Sequence, residues 1–138
     1  MSTNEEVALA TIRAVEQRDL ETLHALYDPK VTFHWQPGLP YSGDFSGPDM
    51  AGMTAMFSAV WGPLQPDEET RRMDPRVLAS NDDLVVIEYT WRARRPDGAS
   101  FETPTLAKYR IANGRLIEAQ MYYYDLPGLI EFVGAARG

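Results

Sequence analysis

"DLVVIEYTWRARRPDGASFETPTLAKYRIANGRLIEAQMYYYD", Asp83 to Asp125, holds three strand-like runs separated by two turn signals. In the first run Val85, Ile87, Tyr89, Trp91 and Ala93 alternate with Glu88, Thr90, Arg92 and Arg94. That is the period of a strand with one buried face. The stretch PDGAS has Asp97-Gly98 at the tip of a hairpin turn, and Asn113-Gly114 is the stronger signal. A two-residue type I′ turn needs positive φ at both central positions, which Asn and Gly tolerate. FETPTLAKYRIA and RLIEAQMYYY therefore read as the second and third strands of an antiparallel meander. RRMDPRVLAS, just ahead, is a further strand candidate interrupted by Pro75. Beyond the meander, Asp125 is placed to cap a terminal helix with Pro127 in its first turn, where proline is tolerated.

The first half of the chain reads differently. STNEEVALATIRAVEQ offers Ser2, Thr3 and Asn4 as caps, acidic residues in the first turn and a broad apolar stripe. Asp19 caps a second short helix in which Leu20, Leu23, Leu26 and Tyr27 recur at helical spacing, and Pro29 is expected to end it. In KVTFHW, Val31, Phe33 and Trp35 alternate with Lys30, Thr32 and His34, a strand pattern. A turn-rich segment follows, and then a third helix in which Met53, Met56, Phe57, Val60 and Trp61 mark the buried side. Helices first and a meander afterwards give an α+β layer arrangement. Long hairpin strands twist and curve, so the early helices must cover the concave face. A cone-shaped, mostly antiparallel sheet closed by helices encloses an interior.

Bulk properties narrow the functions. The 138 residues fit one domain, 1–138, with an apolar fraction of 44% and a charged fraction of 24% that suit a packed core. A net charge of −7 argues against nucleic acid and against an anionic membrane surface. No apolar run approaches the roughly 20 residues of a membrane helix. With no cysteine and only His24 and His34, no metal site is expected, and no cofactor motif is present. MSTNEEVALA has acidic residues and no apolar core, unlike a secretory leader, so the expected location is cytoplasmic.

The segments ATIRAVEQRDLETLHALYDPKVTFHW and ANGRLIEAQMYYYDLPGLIEFVG, in this order of elements, resemble the SnoaL-like branch of the nuclear-transport-factor-2-like superfamily. Its cone-shaped, cystatin-like α+β roll is shared by ketosteroid isomerases, polyketide cyclases, scytalone dehydratase and limonene epoxide hydrolase. The resemblance rests on the helix break at Arg18-Asp19-Leu20, the hairpin Asn113-Gly114-Arg115-Leu116 and the Tyr-Asp end of the last strand. Where ketosteroid isomerases carry their general-base Asp, this chain has Trp35, and their first-helix Tyr falls near Thr11. The positions similar to the epoxide hydrolase Arg and two Asp are Tyr89, Trp91 and Tyr122. The resemblance thus implies the family cavity relined with aromatic side chains.

It also implies which residues line it. Phe33, Trp35, Tyr89, Trp91 and Leu106 would form an apolar wall, with Phe57 and Trp61 opposite. Gln120, Tyr122 and Tyr124 would point into the cone, and Met121 and Tyr123 would lie on an outer face that forms a homodimer. Tyr122 would stabilise an oxyanion while Asp125 or His34 moved a proton. Each has a plainer role. Asp125 suits an N-cap, and alternation sets His34 opposite Phe33 and Trp35 unless a bulge before Pro37 reverses it. The implied function is a cofactor-free isomerase, cyclase or dehydratase acting on a hydrophobic carbonyl or ring compound. The alternatives are a non-catalytic binding or dimerisation module and an epoxide hydrolase with displaced catalytic groups.

Overall fold

Helix α1 (Thr3–Gln17) ends where Arg18 turns left-handed at φ 57°. There the Arg18 N–H donates to the Val15 carbonyl at 3.1 Å and the Asp19 N–H to the Ala14 carbonyl at 2.9 Å. This bond pair closes a helix whose following residue is left-handed. Asp19 then caps α2 (Leu20–Leu26), accepting from the Thr22 backbone N–H at 3.2 Å. The break stands where the sequence places it.

After these helices, the computed structural model, which describes residues 3–137, continues through β1 (Tyr27–Trp35), β2 (Gly43–Ser46) and α3 (Met50–Leu64). Then come α4 (Glu68–Arg71), β3 (Arg76–Ser80), β4 (Leu84–Arg94), β5 (Ser100–Ala112), β6 (Arg115–Tyr123) and α5 (Leu126–Arg137). The sheet order is β2-β1-β6-β5-β4-β3, an open mixed sheet of six strands. Only β1 and β6 run parallel; the other neighbours are antiparallel. The α+β class, the meander and the helical cover are as the sequence implies. Asn113 and Gly114 take φ 54° and 75° between the paired residues Ala112 and Arg115, so the expected tight turn forms. Burial alternates without interruption along β4, which puts Val85, Ile87, Tyr89, Trp91 and Ala93 in the core.

Three details depart from the sequence reading. The strand β1 starts at Tyr27, and Pro29 sits within it where its register to β6 shifts between Tyr27 and Thr32. A residue without an N–H fits that gap in the ladder. Inside the turn-rich segment a short strand, β2, pairs with β1. A one-turn helix, α4, is held by a capping box between Asp67 and Thr70.

The facing of β6 is the consequential difference. Ile111 pairs with Leu116, but Arg110 pairs with Glu118, so Ile117 is an extra residue in β6. Such a bulge flips the alternation beyond it. Continued from buried Leu116, strict alternation turns Glu118, Gln120 and Tyr122 inward. With the bulge, Ala119, Met121 and Tyr123 are buried, while Gln120 and Tyr122 lie on the outer face and Tyr124 is exposed. The bulge keeps a carboxylate and an amide out of an apolar layer, where they would need partners. Among the described residues no helix is long and apolar enough to cross a membrane.

Candidate functional site

Beneath α1, α2 and α3 the sheet encloses a cavity of about 350 Å³. One wall is aromatic. Phe57 stacks on Trp61 at 4.6 Å between ring centroids, and Trp35 meets Phe57 edge-on at 5.0 Å. Phe33 stacks against Trp35 at 6.4 Å, and Tyr27 closes on Phe33 edge-on at 5.3 Å. The floor comes from Tyr89, Tyr109 and Met121 of the sheet. Helical spacing explains the roof: Met53, Phe57 and Trp61 lie one turn apart on one side of α3.

The polar lining is unusual in its sign. It contains Arg18, Arg71 and His24, the phenols of Tyr27, Tyr89 and Tyr109, and the hydroxyls of Thr11, Thr54 and Ser58. No Asp or Glu lines the cavity among the described residues. Burial raises the pKa of Tyr27, Tyr89 and Tyr109, so their phenols stay protonated and available as donors. Burial followed by the neighbouring Arg71 charge lowers the pKa of Arg18. Exposed His24 and Leu20, with half-buried Arg18 and Arg71, form the rim.

Behind the wall, Tyr41 and Tyr123 share a hydrogen bond at 2.9 Å, and both are buried. Burial pushes the Tyr41 phenol up to about 12, against the opposing effects of Tyr123 and Trp61. Trp61 nevertheless makes no indole hydrogen bond of normal geometry, and neither do Trp35 and Trp91.

The implied site residues therefore divide. Phe33, Trp35, Phe57, Trp61 and Tyr89 line the cavity. Trp91 is fully buried one layer back, 6.0 Å from Trp61 and 6.3 Å from Tyr123 between centroids. Leu106, Gln120 and Tyr122 do not line the cavity and share the outer face, where Leu106 pairs with Tyr122 across β5 and β6. Tyr124 donates to Glu88 at 2.6 Å outside. Asp125 caps α5, accepting from the Gly128 N–H at 3.0 Å, which is its plainer role. His34 follows strict alternation, with Nδ1 at 2.7 Å from Asp44 and Nε2 at 3.1 Å from Glu118, also outside. The structure thus separates Tyr122, Asp125 and His34 from the cavity, because β6 bulges and β1 does not reverse.

Sequence reasoning missed Arg18, His24, Tyr27, Arg71 and Tyr109 as lining. Tyr109 was available from the alternation of β5. The others sit at helix ends and beside short elements, where period gives no direction.

The family with a SnoaL-like domain matches residues 8–119, most of the chain. This chain belongs to the SnoaL-like family. Solved structures share its fold. TerC, co-crystallised with polyporic acid, superposes with a TM-score of 0.81 at 20% identity, covering 96% of this chain and 99% of that one. A cystatin-like-fold protein of unknown function from Xanthomonas campestris gives 0.77 at 24% identity, covering 96% and 98%. Bal32a, from a soil-derived mobile gene cassette, also gives 0.77 at 24% identity, covering 94% and 95%. Among curated proteins, none matches the sequence.

Proposed function

We propose that this SnoaL-like protein binds a small, largely apolar, ring-bearing molecule in the helix-covered cavity, and does so as a homodimer formed through the outer sheet face. The observation that carries the binding reading is an interior of about 350 Å³ walled by Phe33, Trp35, Phe57 and Trp61. That volume lies in the ordinary range of small-molecule sites, and stacked or edge-on rings offer a flat ligand further ring contacts. TerC, of similar fold, was crystallised with the small molecule polyporic acid, which supports the reading by analogy. Titration with the neutral ring compound 2-naphthamide tests it. Tryptophan fluorescence should quench saturably and the melting temperature should rise by mass action. Ser58→Trp, at an exposed helix position on the lining, should abolish both responses. A linear, unsaturable response in the wild type would refute the reading.

A second reading is cofactor-free proton chemistry: isomerisation, aldol-type cyclisation or dehydration. It is favoured by His24, the one imidazole on the described lining, whose two ring nitrogens can accept and donate a hydrogen bond. In this reading a protonated phenol of Tyr27, Tyr89 or Tyr109 donates to the developing oxyanion. His24→Gln should then lower turnover of a confirmed substrate by about 10²-fold or more, the usual contribution of a general base, while naphthamide binding persists. Unchanged turnover would remove His24 from the chemistry. The epoxide hydrolase reading needs two carboxylates around one water, and the described lining holds none.

A further inference from the structure

We infer that the ligand of this cavity is an anion, its ring body on the aromatic wall and a carboxylate or ionised enol oxygen held between Arg18 and Arg71. The inference rests on the cavity-binding reading above and adds the chemical class of what enters.

Three observations converge on it. The first is unbalanced charge. Arg72, Arg76, Arg92, Arg94, Arg95 and Arg110 each pair with an Asp or Glu. Arg18 and Arg71, both half-buried on the lining, make no ion pair among the described residues. Three acids near them in sequence, Glu16, Asp19 and Asp67, are bound elsewhere. Asp19 accepts from Thr22, and Glu16 accepts from the Met73 backbone N–H at 2.7 Å. Asp67 serves Thr70 and Arg94. Two neighbouring cations without a counterion raise each other's energy, which is why the Arg71 charge adds to burial in lowering the Arg18 pKa. An arriving anion relieves both.

The second is that the pair is held in place with donors to spare. Gln65 is 3% exposed and joins the two: its side-chain oxygen accepts from Arg18 and its backbone carbonyl accepts from Arg71 Nε at 2.9 Å. Its own amide donates to the Arg92 carbonyl at 2.8 Å, fixing the bridge. The terminal amino groups of Arg71 have no hydrogen-bond partner among the described residues. A guanidinium fork of this kind matches a carboxylate bidentately.

The third is the backbone under Arg18. It occupies the left-handed residue that ends α1, at φ 57°. Glycine is the usual occupant of this position, because a Cβ is disfavoured there. The guanidinium at this bend donates to the Val15 carbonyl at 2.6 Å as well as to Gln65, which holds it at the cavity mouth.

Calorimetric titration with 2-naphthoate and its uncharged counterpart 2-naphthamide, at a pH where the carboxylate is ionised, separates the claims. The wild type should bind the naphthoate about tenfold or more tightly than the amide, the scale of a charge-assisted pair. Arg71→Gln and Arg18→Gly should each bring the ratio of naphthoate to amide affinity, measured within each variant, down to about one; glycine suits the conformation at 18, so the helix break is kept. Arg115→Gln, an exposed position away from the cavity, should keep the preference. Equal wild-type affinities, or a preference surviving both cavity variants, would overturn the anion claim and leave the cavity reading standing. Failure of both probes to bind would overturn the two together.

Discussion

His34 shows what one side chain does when it faces the opposite way from a catalytic assignment. Its two ring nitrogens sit against Asp44 and Glu118, and Glu118 is also 3.6 Å from Arg110. The hydrogen bond to Asp44 raises its pKa most, burial takes back part of that, and the Glu118 hydrogen bond adds a smaller rise. A folded pKa above the unfolded value of about 6.5 means the imidazolium stabilises the fold below that pH. The contribution disappears as pH rises through the raised value. The melting-temperature gap between wild type and His34→Gln should therefore be widest near the acid end of a series from about 5.5 to 8.5 and narrow toward its alkaline end. A gap independent of pH would exclude the charged pair. With Asp44 side chain 79% exposed, added salt should shrink the gap as well. At the Tyr41–Tyr123 contact the environment is dry, so the rule changes. Tyr123→Phe leaves the Tyr41 hydroxyl buried without its partner, at a cost of about 1–3 kcal/mol. Removing both hydroxyls should cost less than the sum of the single changes, in a urea-denaturation double-mutant cycle. Additivity would show that the hydroxyls do not act as a pair.

At the level of elements, α5 tests the cap that the sequence placed at Asp125. Asp125→Ala should cost about 1 kcal/mol by denaturant unfolding, since it removes the acceptor for the Gly128 N–H. Gly128 sits so close to that carboxylate that an added Cβ would lie 2.8 Å from Asp125 Cγ. Gly128→Ala in the wild type gains helix propensity of about 1 kcal/mol and loses a similar amount of capping, for a net near zero. In the Asp125→Ala background the same change should stabilise by nearly its full propensity, and equal effects in the two backgrounds would refute the coupling. Caps and turns of this kind are legible because the residue type carries the conformation: Asp19 at α2, Asn113-Gly114 between β5 and β6. The bulge at Ile117 was not legible. RLIEAQMYYY is compatible with either facing, and the choice is made by Glu118 and Gln120, which would be buried by one of them. A sequence reading that weighed the cost of those two polar residues would have turned Met121 and Tyr123 inward.

For the whole molecule, the same flip moves Gln120 and Tyr122 away from the cavity. The alternation of β1 and β4 and the helical spacing of α3 made the aromatic wall readable, because each pattern sets a direction. Arg18 and Arg71 belong to a helix end and a one-turn helix, so their convergence depends on how the helical layer lies on the sheet, which no local pattern encodes. Turning Tyr122 outward places it on the face that the proposed homodimer would bury. Leu106 and Tyr122 are cross-strand neighbours on the outer face, Glu88 lies beside Leu106, and Tyr124 at the strand end is 54% exposed. Leu106 and Tyr122 are half-buried on an open sheet face, and tyrosine is a residue type enriched at interfaces. A C2 pairing would set this face against itself. Light scattering coupled to size exclusion should therefore return twice the 15.5 kDa chain mass at micromolar concentration. Leu106→Glu combined with Tyr122→Glu places like charges on both copies and should return the monomer mass, with naphthamide binding retained because neither residue lines the cavity. A wild-type monomer would reject the dimer. A dimer that survives the double substitution would place the interface on another face.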